Sequence, residues 1–254
     1  MPTIILLALL AQLLSGAAAI VNQTVWQRSL IVGLAGSEAI SSMIVILAFM
    51  AGLGAGALWI GRAAHRIRNP ARALALAELL LALANLLVLG LLSVDTTEGL
   101  QQFQRLTFSL GVPLRLTYAT VSAVVLLGPC FLMGVTSPLM SEVAQRQLKR
   151  RDNRFLVVLF FVNTVGAFGG GLATGFLLMP ILGQRGCLTL AIALNAVAGL
   201  VILGLARLPS LAVAARATET PTASAMPAIR GMRTLAFAVG FLARAYERYL
   251  YRVG

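Results

Sequence analysis

Glu78 is the one carboxylate inside the long apolar runs of this chain, set in the stretch ALALAELLLALANLLVLGLL. A carboxyl group in such surroundings has two uses. It takes up and releases a proton or small cation, or it accepts hydrogen bonds that tie one helix to the next. Asn85 follows at the seven-residue spacing that returns to the same helix face. Glu78 lies ~10 Å along its helix from the basic end of the segment, at 1.5 Å per residue. Asn163 sits at a matching depth in a later apolar run, and Asn195 lies near the middle of the last one. The functional reading makes Glu78 a proton or cation site, with Asn85, Asn163 and Asn195 lining its path. The structural reading makes all four interhelical hydrogen-bonding groups. Both readings stand at this level.

Other chemistries find little support. Cys130 and Cys187 fall in or at the edge of apolar runs with no ligand-spaced Cys or His beside them, so they read as small fillers and no metal site is assigned. His65, the single histidine, stands among arginines in a connection. The Gly-Gly-Gly run at 169 to 171 lies within an apolar helix with no strand before it, which removes a nucleotide-loop reading. No catalytic residue and no cofactor is expected.

The elements that position Glu78 follow from composition. Hydrophobic residues make up 59% of 254 and charged residues 11%, with a mean hydropathy of +0.91, whereas soluble domains carry about 25% charged residues. A spanning helix needs ~20 mostly apolar residues. Such segments are predicted at about 3–22, 39–61, 73–94, 115–138, 155–181 and 187–208, so the fold class is all-α, a polytopic bundle of six spans. The first segment, with its small residues 15–19, also fits a cleaved leader. It lacks a basic start and its apolar run continues through Ile20 and Val21, which favours a retained helix.

Charge sets the expected orientation. Arg62, Arg66, Arg68 and Arg72 follow the second span, and Arg146, Lys149, Arg150, Arg151 and Arg154 follow the fourth. These connections are predicted to be cytoplasmic, as are both termini. Sixteen of the twenty basic residues then share one side, and the net charge of +12 is explained by topology and contact with anionic lipid. Nucleic acid is not an expected partner.

Glycine marks helix packing. Gly52, Gly54 and Gly56 crowd the second span, while Gly166 with Gly170 and Gly171 with Gly175 set two four-residue spacings in the fifth. Pro129, inside the fourth span, removes one backbone hydrogen bond and is a candidate kink. Residues 1–208 thus form the bundle and 209–229 a linker rich in Ala, Thr, Ser and Pro. Residues 230–254 suit a basic amphipathic helix on the membrane surface, with Arg230, Arg233, Arg244, Arg248 and Arg252 interleaved with aromatic residues.

Several stretches together resemble the membrane domain of the bacterial proteins that fuse a major-facilitator-like transporter to a spermidine synthase. They are SGAAAIVNQTVWQR, AFMAGLGAGALWIGRAAHR, LAELLLAL around Glu78, PCFLMGVTSPLM at 129–140 and VNTVGAFGGGLATGFLLMPILGQRG at 162–186. The resemblance covers residues 15 to about 205. It implies a bundle like half of a major-facilitator transporter, in a bacterial inner membrane. Two positions depart from it: the family commonly has glutamate at Gln23 and aspartate at His65. The synthase domain, with its Gly-rich loop, has no counterpart here, so this chain alone is not expected to make spermidine. The segment VGFLARAYERYLYRVG echoes the end of the first span at a shift of 224 residues, aligning Gly16 with Gly240, Ala19 with Ala243, Gln23 with Glu247 and Arg28 with Arg252. It resembles the start of a second repeat.

Three functional readings result. The first is a non-enzymatic, transporter-like half bundle that handles a polyamine or other small cation. The second is an accessory subunit packing into a larger membrane complex. The third, resting on the resemblance, is the membrane part of a polyamine aminopropyltransferase whose catalytic domain is absent. The expected partners are the lipid bilayer and other membrane subunits or a second copy of the chain. For the first reading a multiply charged polyamine is under-served by one intramembrane acid.

Overall fold

In hydrocarbon every backbone N–H and C=O must be satisfied within the protein, and a helix does this within one segment. The computed structural model describes residues 2–33, 38–93, 105, 108, 109, 114–148 and 153–208. The long helices among them are α1 (Pro2–Gly33), α2 (Glu38–Ala63), α3 (Pro70–Ser93), α4 (Leu114–Glu142), α5 (Asn153–Ala173) and α6 (Met179–Ala206). All lie in the unit Met1–Glu219; the unit Thr220–Gly254, with the expected surface helix and its five arginines, lies outside the described residues. The linker at 209–229 lies outside them too. Among the described residues, five segments are long and apolar enough to cross a membrane: Pro2–Ile31, Glu38–Arg66, Pro70–Gly90, Ala119–Gln147 and Arg154–Ala206. This is a multi-pass membrane architecture.

The helices outrun the apolar stretches that predicted them. α1 continues past its expected end at residue 22, through a run that includes Gln23, Thr24, Gln27, Arg28 and Ser29, to Gly33. Its polar side chains explain the extension: the Ser41 hydroxyl donates to the Gln27 carbonyl and Gln27 Nε2 donates to Ser42 Oγ at 2.6 Å, tying α1 to α2. α4 passes through both Pro129 and Pro138 as one helix and ends in a π-helical turn, Val143–Gln147.

The last segment runs 53 residues, ~80 Å of helix at 1.5 Å per residue, against a hydrocarbon core of ~30 Å. It is broken at Gly183, whose φ of 65° and ψ of −176° are not helical. Neighbours on either side of the break show a reversal. Asn163 meets Gln12, Gly166 meets Leu13 and Gly170 meets Ala17, so α5 runs parallel to α1. Beyond the break Ser29 Oγ bonds Gln184 Oε1 at 3.1 Å. Cys187, Leu188 and Ala191 then pack with Val21, Val25 and Leu81, and Ala198, Ile202 and Ala206 pack with Ala8, Ala11, Leu74 and Ala75. α6 is therefore antiparallel to both α1 and α3, which run parallel to each other.

Glycine brings two parallel helix pairs into backbone contact. A Cβ added at Gly56 would fall on the Phe131 carbonyl oxygen, and one at Gly134 on the Leu53 carbonyl oxygen, so α2 and α4 interlock from both sides. Gly52 meets Cys130 along the same seam. Gly16 faces the Asn163 carbonyl and Gly166 the Leu13 carbonyl, which interlocks α1 and α5, with Gly170 against Ala17 and Gly171 against the Ile20 side chain. Gly54 and Gly175 have no neighbour within 4 Å. Gly54 is two residues from both Gly52 and Gly56, and at about 100° per residue that turns it to the opposite face.

At the arginine-bearing end the connection between α2 and α3 is bound to the end of α4. Pro70 opens α3, Arg72 N donates to the Asn69 side-chain oxygen at 3.1 Å, and Ala71 N donates to Gln147 Oε1 at 3.1 Å. Gln147 Nε2 in turn donates to Asn69 Oδ1 at 3.1 Å. The first N–H groups of α3 are thus satisfied by side chains, with proline at the position that has no N–H to satisfy. Arg146 adds bonds to the carbonyls of Ile67 at 2.9 Å and His65 at 3.4 Å. Replacing Gln147 by leucine strips the Ala71 N–H of its acceptor in a buried place. We expect a loss of about 1–3 kcal/mol, measurable as a lower denaturation midpoint in detergent with unchanged helix content.

Candidate functional site

Two apolar clusters fill the bundle. One, toward the arginine-bearing end, holds Ala8, Ala11, Ala75, Ala77, Leu139, Ala198 and Ile202. The other holds Ala18, Val21, Val25, Leu81, Val88, Leu126, Leu188 and Ala191. The boundary between them falls on α1 between Ala11 and Ala18, on α3 between Ala77 and Leu81, and on α6 between Ala191 and Ala198. Ser15, Glu78 and Asn195 occupy that boundary on the three helices, and all are buried. The interior is therefore split by a polar level.

Ser15 Oγ donates to Glu78 Oε1 at 2.7 Å. The second carboxylate oxygen, Oε2, has no protein partner among the described residues, and neither amide atom of Asn195 has one. Gly199, one turn along from Asn195, abuts the Leu79 side chain and the Ala75 carbonyl, which places this part of α6 beside Glu78's own stretch of α3. Asn163 has a different placement. It is half-buried on α5 and its Nδ2 donates to the Gln12 carbonyl at 3.1 Å, a bond that joins α5 to α1.

A second polar level follows from helix geometry. Seven residues on from Ser15 is Asn22, and seven on from Glu78 is Asn85. Because α1 and α3 are parallel and registered by the Ser15–Glu78 bond, the two asparagines share a depth ~10 Å farther from the end that carries Arg62, Arg66, Arg68 and Arg72. Trp26 lies one turn beyond Asn22 on the same face of α1. Asn22 and Asn85 are fully buried and Trp26 nearly so. Both amide atoms of each asparagine, and the indole Nε1, have no hydrogen-bond partner among the described residues.

Magnitudes show what this means. Among the described residues eight buried side-chain atoms lack partners, and an orphaned buried polar group costs about 1–3 kcal/mol, against a net stability of roughly 5–15 kcal/mol for a whole domain. Leaving all eight bare would consume most or all of that stability. Such groups persist where something polar visits them.

The sequence reading singled out Glu78, Asn85 and Asn195, which share the buried side of α3 and α6. It missed Ser15, Asn22 and Trp26 as site residues. The signal was present, because Ser15, Asn22 and Trp26 repeat at seven and four residues, the same helical return that joined Glu78 to Asn85. Among the described residues no group of three His, Cys, Asp or Glu side chains is placed to hold a metal ion. No protein-family model, no curated protein and no solved structure matches this chain.

Proposed function

We propose that this chain is a non-enzymatic membrane module, transporter-like in construction, that handles a proton or singly charged cation at Glu78. The observation that carries this reading is the geometry of that carboxylate: one oxygen held by Ser15 and the other unpartnered, at a level shared with Asn195. The serine fixes the group while leaving an acceptor to give. A small monovalent ion suits it better than a polyamine, since Glu78 is the one buried carboxylate among the described residues. The reading counts six crossings, with the break at Gly183 ending the fifth, and puts the arginine-bearing connections in the cytoplasm of a bacterial cell. The resemblance to the transporter-like domain fused to spermidine synthases supports a half-transporter origin.

Glu78→Gln keeps the shape and an acceptor for Ser15 but removes the exchangeable charge. In vesicles holding the purified chain, cation uptake driven by a pH gradient is expected to fall to the protein-free background, with the amount of inserted protein unchanged. Uptake equal to the parent's would reduce Glu78 to interhelical bonding and leave the accessory-subunit reading.

A further inference from the structure

The level formed by Asn22, Trp26 and Asn85 is not needed to hold Glu78, which is anchored by Ser15 two helical turns away. We propose that these three side chains form a second internal site that binds ordered water. Three observations point there. Their five polar atoms are buried and have no protein partner among the described residues. The α1–α3 register sets Asn22 and Asn85 at one depth, with Trp26 a turn beyond. The flanking residues Val21, Val25, Leu81 and Val88 are apolar, so none of these neighbours competes for the donors and acceptors.

The chemistry of the set selects the ligand. Two carboxamides and an indole N–H offer three donor groups and two acceptor oxygens, all uncharged. A cation would meet N–H groups as well as oxygens, and an anion would meet carbonyl oxygens. Water both donates and accepts, and a buried molecule typically makes about three hydrogen bonds to groups otherwise unsatisfied. The site continues the polar face of α1 and α3 from Glu78 toward the end opposite Arg62, Arg66, Arg68 and Arg72. Where Glu78 handles an ion, as proposed above, this water is the next polar stop on the way to it. Its presence is a separate matter from that reading.

The chain has two tryptophans, and Trp59 lies on the exposed face of α2 against Phe131. Trp59→Phe therefore leaves Trp26 as the single indole reporter. In lipid nanodiscs diluted into D2O, ultraviolet resonance Raman spectroscopy reads exchange of the indole N–H directly. The expected result is exchange at least tenfold faster than that of the slowest backbone amides of α1. Adding Asn22→Leu and Asn85→Leu, which are apolar and of similar shape, is expected to slow it at least tenfold. An indole protected as long as those amides in the Trp59→Phe protein overturns the proposal, as does exchange indifferent to the two leucines. Should the triple variant not fold, the Trp59→Phe protein alone decides. Adding Glu78→Gln instead is expected to leave the exchange rate unchanged while abolishing uptake, so a failure at Glu78 and a failure at this site are told apart.

Discussion

Gly134→Ala and Gly166→Ala are each expected to destabilise the bundle by about 3 kcal/mol, the upper part of the usual range for overpacking. The methyl group meets backbone, not a side chain able to rotate away: the Leu53 carbonyl in one case and the Leu13 carbonyl in the other. The helices must separate, and since lipid tails are as apolar as the interior, the association loses its close van der Waals contact without a hydrophobic term to replace it. Gly54→Ala is the control. Its Cβ enters open space, so it is expected to be neutral or to stabilise by about 0.5–1 kcal/mol through the better helix propensity of alanine. Unfolding of the three variants in mixed micelles by SDS measures the contrast, and equal midpoints would mean that the interlocking contacts are not made.

That contrast also shows what a sequence conveys about such a protein. Apolar length placed the helices, because the requirement to satisfy backbone groups in hydrocarbon acts on every residue alike. Depth was readable for Glu78 and Asn163, since rise per residue converts position into distance, and the Asn163 carbonyl does lie against Gly16, beside the Ser15 that bonds Glu78. Which glycines touch a neighbour was not. Gly52, Gly54 and Gly56 look alike in sequence, yet a two-residue step turns the middle one away from α4. Gly16, Gly134 and Gly199, which do meet neighbours, lie in less glycine-rich stretches and gave no density signal. Helix ends were equally hidden. Gln27 extends α1, and Gln147 caps α3, through partners on other helices that local composition does not reveal.

The polar interior divides in the same way. The return of Asn85 to the face of Glu78 is a property of one helix and was legible. Its companions Ser15, Asn22 and Trp26 enter through packing of α1 against α3 and α6, and Ser15 on its own reads as one more small residue. Asn163 shares Glu78's depth, but depth does not fix the direction in which a side chain points around the helix axis. Its amide is committed to the Gln12 carbonyl.

Gly183→Val is expected to disable the reversal between α5 and α6, on which the position of Asn195 depends. At φ 65° and ψ −176° the backbone occupies a region open essentially to glycine alone, where any other residue costs of order 1–3 kcal/mol, and a β-branched side chain is the most restricted. No atom stands within 4 Å of the added Cβ, so the effect arises from backbone strain and not from crowding. Without the break the segment favours continuing as helix past the thickness of the bilayer, and Ser29 loses Gln184. The measurement is the side from which a cysteine is labelled. In a background of Cys130→Ala and Cys187→Ala, the single variants Arg68→Cys and Arg207→Cys are expected to react from the same side, because α6 returns to the end that carries the α2–α3 connection. With Gly183→Val added, the position at 207 is expected to lose that accessibility and the inserted protein to drop. Labelling of the two positions from opposite sides with Gly183 intact would overturn the reversal itself, and with it the shared level of Ser15, Glu78 and Asn195.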